Sequence, residues 1–276
     1  PTAPPVPPYT YAGSFVASSV VDTTPLPYPP KWRVFEAYPA LDLASTDTRK
    51  LWCWESVNDP ACQREVKNLA ARSPWDHNFR TLAPSFTTIG NAANSAEAWL
   101  SPLTPAEQYR PVSANRIYDF TWGNVWATSK CDPLALTPGG NDIDAATANL
   151  FAMHNRMHDW AYFLGFTEAN YNLQESNFGN AGRENDPEVG DAQAGGISGG
   201  QPSLLGRDNA NQITLNDGIA PITNMYLWQP IAAAFYSPCV DGDFDMSVIG
   251  HEYTHAISNR MVGGPDSNIG CDQGGA

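Results

Sequence analysis

Apolar and polar positions along the chain predict two helices. The first opens at Asp142, continues through alanine-rich sequence and ends at Phe163-Leu164, where Gly165 is a stop signal. The second begins near position 246, after aspartates at 241, 243 and 245 that suit the positive end of a helix dipole. It closes before Gly263-Gly264 and Pro265. Its apolar positions are Met246, Val248, Ile249, Tyr253, Ala256 and Ile257.

The region from Trp32 to about Trp126 has a different pattern, with short β-like runs broken by Gly, Pro, Asn and Asp. Residues 32–35 form one such run, and residues 117–122 alternate bulky and polar side chains as a half-buried strand does. We interpret the aromatic residues between these runs as core, namely Trp75, Phe79, Phe86 and Trp99. This lobe is therefore predicted to be mostly β.

Proline and glycine mark the segments that lie outside regular structure. Residues 1–30 are dense in proline and predict an extended arm or propeptide remnant, with a candidate strand over 14–21. Residues 175–218 are rich in Gly, Asn and Asp and predict a surface loop. We expect an α+β fold with three parts: the arm, a β-rich lobe over 31–240 that includes the long helix, and the start of a helical lobe over 241–276.

Composition excludes several classes of protein. With 42% hydrophobic residues among 276, the chain can bury a substantial core, and its length favours two packed lobes. The 29 acidic residues outnumber the 15 basic ones, which argues against nucleic acid as a partner because phosphate binding requires clustered Lys and Arg. No stretch approaches the roughly 18 consecutive apolar residues of a membrane span.

Cysteine usage indicates an oxidising compartment. The five cysteines include no CxxC pair, which favours disulfides over a cysteine zinc site. Cys53 and Cys62 are close enough to close a small loop across a turn, and the odd total leaves either a free thiol or a partner on another polypeptide. The chain starts at Pro1 without a leader, as a processed secreted protein does. We therefore predict an extracellular location.

The sequence His251-Glu252-Tyr253-Thr254-His255 lies within the second predicted helix. Histidines four residues apart lie one turn apart on the same face, where both rings can bind one Zn²⁺. Glu252 is rotated by roughly 100° around the helix axis, so it lies beside the metal without binding it. Its carboxylate is then placed to accept a proton from a zinc-bound water and to pass it to a leaving amine.

Another His pair has the same spacing. His154 and His158 lie four apart in the first predicted helix, but no glutamate follows His154. We favour core or hydrogen-bonding roles for both, with metal ligation as the alternative. The alternative interpretation of the motif at 251–255 is an ordinary amphipathic helix that carries two histidines by chance. A chain with only five His makes that coincidence improbable.

Several segments together resemble the fungalysin group of secreted zinc metallopeptidases, gluzincins with a thermolysin-like catalytic fold. The run His251–Arg260 followed by Gly263-Gly264 is similar to the signature of that group. Residues 157–160 and 164–168 resemble its upstream helix, which ends in a Gly-Phe step. Residues 208–211 resemble its substrate strand, and residues 109–111 its N-terminal lobe.

The resemblance implies roles for individual residues. Zinc would bind to His251 and His255, Glu252 would be the catalytic base, and Asn209 and Ala210 would hydrogen-bond the backbone of a bound peptide. The third zinc ligand of the group is a glutamate on a following helix, and no acidic residue follows Asp272 here. We therefore expect the remainder of the catalytic unit on a separate or cleaved C-terminal polypeptide, which would also account for the unpaired cysteine.

Two functional hypotheses follow. The first is a zinc endopeptidase acting on proteins or peptides, and the second is a non-catalytic binding or assembly protein on a truncated thermolysin-like scaffold. A glycan-binding β module has little support because the tryptophans are spaced as core residues. Asp241, Asp243 and Asp245 offer alternating oxygens that would suit Ca²⁺, although helix capping explains them equally well.

Overall fold

The structure of the chain is a computed structural model that describes most of the sequence between residues 29 and 266. The described ranges are 29–37, 46–55, 57–66, 73–79, 81, 83–100, 109–137, 140, 142–197, 206–230 and 238–266. The predicted strand over 14–21 and the unassigned Cys271 lie outside these ranges. No helix among the described residues is long and apolar enough to cross a membrane.

Short strands and three α-helices make up the regular structure of these residues. The strands are β1 (Lys31–Val34), β2 (Lys50–Trp54), β3 (Arg64–Val66), β4 (His77–Asn78), β5 (Ala83–Pro84), β6 (Ala93–Glu97), β7 (Ile117–Tyr118), β8 (Glu188–Ala192), β9 (Ala210–Ile213), β10 (Ile222–Met225), β11 (Leu227–Trp228) and β12 (Val240–Asp241). The α-helices are α1 (Val125–Thr128), α2 (Ile143–Phe163) and α3 (Met246–Gly263), and 3-10 turns occupy Pro133–Ala135, Glu168–Asn170 and Gly242–Phe244. The predicted α+β class is confirmed.

The first four-stranded sheet has the order β3-β2-β1-β7. Its central pair is antiparallel, with Trp32 opposite Trp52. Trp32 is fully buried and stacks on Tyr118, with ring centroids 5.8 Å apart. Of the predicted core aromatics, Trp75 and Trp99 are buried, whereas Phe79 and Phe86 are only partly so. The predicted strand over 117–122 is shorter than expected, because only its first two residues pair with β1.

The second four-stranded sheet has the order β6-β8-β10-β9 and positions the candidate site. β8 pairs in parallel with both β6 and β10, and β9 pairs antiparallel with β10 only. Within the part of the chain that the structure describes, β9 is therefore the edge strand of this sheet. Helix α2 lies across this sheet and also contacts α3, so its alanine-rich faces are buried on several sides.

Two disulfides link described segments. Cys53 pairs with Cys62, as the short spacing predicts, and Cys131 pairs with Cys239 across 108 residues. The second bond ties the loop after α1 to the segment that leads into β12 and α3. It therefore restrains the chain close to the start of the motif helix.

We predict that Asp76→Ala destabilises the fold strongly. Arg116 forms a bidentate ion pair with Asp76, which also accepts a hydrogen bond of 2.8 Å from the Tyr118 hydroxyl, and all three side chains are buried. Removing one partner leaves a buried charge unpaired, so we expect a loss of about 3–5 kcal/mol in the free energy of unfolding. Urea unfolding measures it. Asp119→Ala is the control, because its pair with Arg33 is solvent-accessible and contributes about 1 kcal/mol or less. Equal losses in the two variants would contradict the prediction.

Candidate metal and peptide site

Helix α3 begins and ends at residues suited to those positions. Asp245 is the N-cap, and its carboxylate accepts a hydrogen bond of 2.8 Å from the backbone N–H of Ser247. At the other end Gly264 has φ of 75° and donates its N–H to the carbonyl of Arg260. These two residues satisfy backbone groups that a helix end leaves unpaired. The predicted helix is confirmed over Met246–Gly263.

The three aspartates before α3, considered as a calcium site from the sequence, have hydrogen-bonding roles in the structure. Asp245 caps α3, and Asp241 caps the 3-10 turn by accepting the N–H of Asp243 at 3.0 Å. Gln193 donates its backbone N–H to Asp243 and its side-chain amide to Asp241. Among the described residues no three His, Cys, Asp or Glu side chains are grouped to hold a metal ion. Each of the three aspartates thus accepts at least one N–H group, while Oδ1 of Asp243 is buried without a hydrogen-bond partner in the described part of the chain.

Asp241 and Asp243 form a buried carboxyl pair. Burial raises the pKa of Asp241, and burial together with the negative charge of Asp241 raises that of Asp243. Two carboxylates this close cannot both ionise easily, so ionisation of the second is shifted to higher pH. The carbonyl of Asp243 also accepts a hydrogen bond of 2.7 Å from Asn149 on α2. The turn before α3 is thereby fixed to the core.

The imidazole rings of His251 and His255 converge. Their Nε2 atoms are 3.1 Å apart, their ring centroids 4.7 Å apart, and their planes nearly perpendicular at 87°. Two nitrogens bound at about 2.0–2.1 Å to one tetrahedral ion lie about 3.3 Å apart. The two rings thus fit a shared Zn²⁺ with a shift of a few tenths of an ångström. His251 is exposed, so this face of the helix is open.

Glu252 occupies a different environment from its neighbour His251. Its side chain is buried, with 6% exposure, and burial raises its pKa to about 7. Burial also raises the pKa of Tyr226 to about 12, and the negative charge of Glu252 adds to that shift, so the two side chains lie near one another. A carboxyl group with a pKa near 7 can both accept and release a proton at neutral pH.

The inner face of α3 is packed on α2. Tyr253 is fully buried in a cluster with Met157, Phe166 and Leu173. The small residue Gly250 lies beside Met157, where an added Cβ would be 3.7 Å from its sulfur. This packing fixes the rotation of α3 about its axis. The direction in which His251, Glu252 and His255 point follows from that rotation.

Arg260 anchors the last turn of α3. It is 1% exposed, and its guanidinium donates to the carboxylates of Asp186 and Asp217 at 3.0 and 3.2 Å. It also donates to backbone carbonyls, at 2.9 Å to Leu215 and 3.2 Å to Asn216. The sequence indicated only a charge favourable to the helix dipole at this position. The hydrogen-bond partners of Arg260 lie more than forty residues away along the chain, and the sequence gave no indication of them.

The rival pair His154 and His158 has the core and hydrogen-bonding roles that the sequence favoured. His154 is fully buried against Tyr253, neither of its ring nitrogens has a hydrogen-bond partner, and burial lowers its pKa to about 3. The Nε2 atom of His158 lies 3.1 Å from the side-chain oxygen of Gln174. No third ligand joins them among the residues placed by the structure.

The predicted peptide-binding residues lie at the β9 edge of the second sheet, where Ala210 is buried and Asn209 partly buried. Asn209 directly precedes β9, and Ala210 is its first residue, opposite Met225. β9 also contacts α3, which brings this edge next to the metal-binding helix. Asn211 donates to the hydroxyl of Tyr226 at 2.7 Å. Neither Tyr226 nor this contact was anticipated from the sequence, because the two residues are brought together only by strand pairing.

A hydrolytic zinc site requires three protein ligands, and the described residues offer two candidates, His251 and His255. Asp266, one of the two later acids within reach by sequence, is exposed and pairs with Arg183 at 2.6 Å. The other, Asp272, lies outside the described ranges. The acidic residues described after α3 therefore do not complete the site.

Comparisons with known proteins agree with the motif and its surroundings. A family model described as "Fungalysin metallopeptidase (M36)" matches residues 52–275. The chain is 31% identical over 243 residues to "Extracellular metalloproteinase MEP" of Pyricularia oryzae, covering 86% of this chain and 34% of that protein. It is 32% identical over 241 residues to the protein of the same name from Fusarium vanettenii, covering 84% and 33%. "Extracellular metalloproteinase 3" of Trichophyton soudanense is 32% identical over 237 residues, covering 84% and 53%.

These matches confirm the resemblance inferred from the motif segments. The family model begins within β2 and covers β3 and β7 of the first sheet, then α2, the second sheet and α3. The chain spans about one third of the length of the first two relatives.

We predict that His154 makes the fold sensitive to acid. A histidine with a folded pKa near 3 stays neutral in the folded state while the unfolded state gains a proton below about pH 6.5. Its contribution to stability is therefore complete above pH 6.5 and is lost as pH falls toward 3. Relative to His154→Leu, wild type should lose about 1.4 kcal/mol per pH unit within that window. Urea unfolding from pH 7 to pH 4 measures this, and parallel stability curves would refute it.

Proposed function

The chain belongs to the fungalysin family of metallopeptidases, and we propose that it carries the zinc-binding helix, the general base and the peptide-binding edge of a secreted zinc endopeptidase with a thermolysin-like fold. Its substrates are proteins or peptides. The observation that supports the proposal most directly is that one helical turn carries both an open face and a buried carboxyl group. The Nε2 atoms of His251 and His255 are 3.1 Å apart on the open face, and Glu252 is buried beside them.

The donor set suits zinc. Imidazole nitrogens at this spacing fit a tetrahedral ion, and a bound Zn²⁺ supplies a water of lowered pKa and polarises the peptide carbonyl. A third protein ligand is expected outside the described residues, and the gluzincin resemblance makes it a glutamate. We propose that this ligand belongs to a C-terminal part of the enzyme, on the same or a separate chain.

Glu252 has the properties of the general base. Its carboxylate accepts the proton that water loses as it attacks the peptide carbonyl, and the protonated Glu252 then gives that proton to the amine as the C–N bond breaks. The pKa of about 7, raised by burial, suits both steps at neutral pH. His251 and His255 hold the metal and take no part in these proton transfers.

The free edge of β9 is proposed to bind the substrate backbone. An exposed strand edge offers N–H and C=O groups to an extended peptide, which then adds as another strand. Asn209 and Ala210 lie at the start of this edge, where β9 contacts α3. A peptide paired there would lie close to the helix that carries Glu252.

Secretion fits the remaining features. Two disulfides within the chain suit an oxidising compartment. The relatives are named as extracellular metalloproteinases. Those names also support hydrolysis over a non-catalytic scaffold, the alternative considered from the sequence. That alternative would be favoured by bound zinc without chelator-sensitive cleavage.

The role of the base is tested by Glu252→Gln. The amide cannot accept the proton, so we expect kcat for casein-derived peptides to fall by about 10²–10⁴ while zinc content stays at the wild-type level. Steady-state kinetics and metal analysis on the same preparation measure the two quantities. Glu55→Gln, an exposed position next to β2, is the matched control and should retain activity. Full activity in Glu252→Gln would disprove the assignment.

The metal assignment is tested by His251→Ala and His255→Ala. Losing even an outer-shell partner weakens metal affinity about 10–100-fold, so we expect loss of either ligand to weaken zinc binding by more than about 100-fold. Competition with a zinc-sensitive dye measures the Kd. His77→Ala is the control, because this histidine lies on β4, a strand of the separate β4-β5 pair. Wild-type zinc affinity in either motif variant would contradict the shared-ion interpretation.

A further inference from the structure

A row of polar side chains crosses three strands on the helix-facing side of the second sheet. Glu188 on β8, Thr223 on β10 and Gln212 on β9 are in contact through their side chains. The hydroxyl oxygen of Thr223 lies 2.6 Å from a carboxyl oxygen of Glu188 and 2.5 Å from the amide oxygen of Gln212. The row links the edge strand to an interior strand through a single hydroxyl.

The Glu188 end of this row is a buried carboxyl group. The Thr223 hydroxyl donates toward the Glu188 carboxyl oxygen and also lies within hydrogen-bond distance of the Gln212 side chain. Burial raises the pKa of Glu188 to about 7 and nearby Asp186 also raises it, whereas Thr223, Gln212 and the charge of Arg260 lower it.

A second row lies on the opposite face of the same sheet. Asn224 on β10 donates to the side-chain oxygen of Asn211 on β9 at 2.9 Å. Asn211 donates in turn to the hydroxyl of Tyr226 at 2.7 Å. Asn211 and Gln212 are consecutive in β9, so their side chains point to opposite faces. The edge strand is thus fastened to β10 from both sides.

These rows act on the strand that the proposed function assigns to the substrate. β9 has one strand neighbour and also contacts α3, so its position determines the distance between its free edge and the metal-binding helix. Backbone hydrogen bonds to β10 fix its register, and the side-chain rows resist tilting of the strand about that line of bonds. Asn211 and Gln212 directly follow Ala210.

We infer that the Glu188–Thr223–Gln212 row and the Asn224–Asn211–Tyr226 row position β9 to receive an extended peptide, with Thr223 as the main positioning residue. The inference rests on one part of the proposed function, the binding of peptide by β9. It assigns a role in peptide affinity to residues that are not proposed to contact the metal or the substrate. Buried side chains that hydrogen-bond across strands in this way restrict the geometry of the strands they join.

The experiment compares Thr223→Val with Thr223→Ser on the full chain. Valine keeps the shape and removes the hydroxyl, whereas serine keeps the hydroxyl. We expect Thr223→Val to speed amide exchange of residues 210–213 and to raise the Kd for a peptide containing a reduced, uncleavable bond by about three- to tenfold, as loss of one buried hydrogen bond predicts. Thr223→Ser should restore both quantities. Tyr226→Phe removes the hydroxyl that accepts a hydrogen bond from Asn211 on the other face of the sheet, so it should also speed amide exchange in β9.

A control separates positioning from general destabilisation. Val66→Ala removes buried volume from β3 in the other sheet and should lower Tm without changing peptide Kd. Unchanged peptide affinity in Thr223→Val, a loss not restored by serine, or absence of peptide binding by wild type would each overturn the inference. The proposed hydrolytic function would be contradicted by a different result, namely full activity of Glu252→Gln. An altered Kd in Thr223→Val with intact kcat would support positioning.

Discussion

The orientation of α3 depends on the burial of one guanidinium. Arg260 is 1% exposed, and its guanidinium donates hydrogen bonds to two carboxylates and several backbone carbonyls. Its buried positive charge is therefore paired and hydrogen-bonded. Such a charge is tolerated inside a protein only when its donors are satisfied. Because its partners lie on loops around Asp186 and Asp217, rotating α3 would break many bonds together. The helix therefore has one available rotation, and the direction of its functional side chains follows from it.

That rotation separates two kinds of chemistry on adjacent residues. Consecutive helix positions differ by about 100°, so when His251 faces solvent its neighbour Glu252 faces the protein. His251 is exposed and His255 partly buried, while burial raises the pKa of Glu252 to about 7. A carboxyl group on the exposed face would keep its ordinary acidity and would be a weaker base. The HExxH spacing thus encodes a difference in solvation as well as a pair of ligands.

The sequence predicted the features that depend on neighbouring residues. The bounds of α2 and α3, the Asp245 cap and the convergence of the histidine pair follow from spacings of four residues or fewer. It did not predict the partners of Arg260 or the rows across β9, since these join residues between 11 and 74 positions apart. The roles of the three aspartates before α3 were left open for a related reason. Alternating aspartates offer oxygens in any turn, and only the folded backbone shows which N–H groups they accept.

The edge strand proposed to bind peptide and the helix proposed to bind metal share an anchor. β9 ends at Ile213, and the next segment carries the Leu215 and Asn216 carbonyls that accept hydrogen bonds from Arg260. One end of β9 is thus attached to the last turn of α3, while the polar rows fasten its length to β10. A displacement of α3 would move the end of β9 with it, which preserves the distance between the bound backbone and Glu252. Catalytic geometry that tolerates errors of only about 0.5 Å requires a linkage of this kind between base and substrate strand.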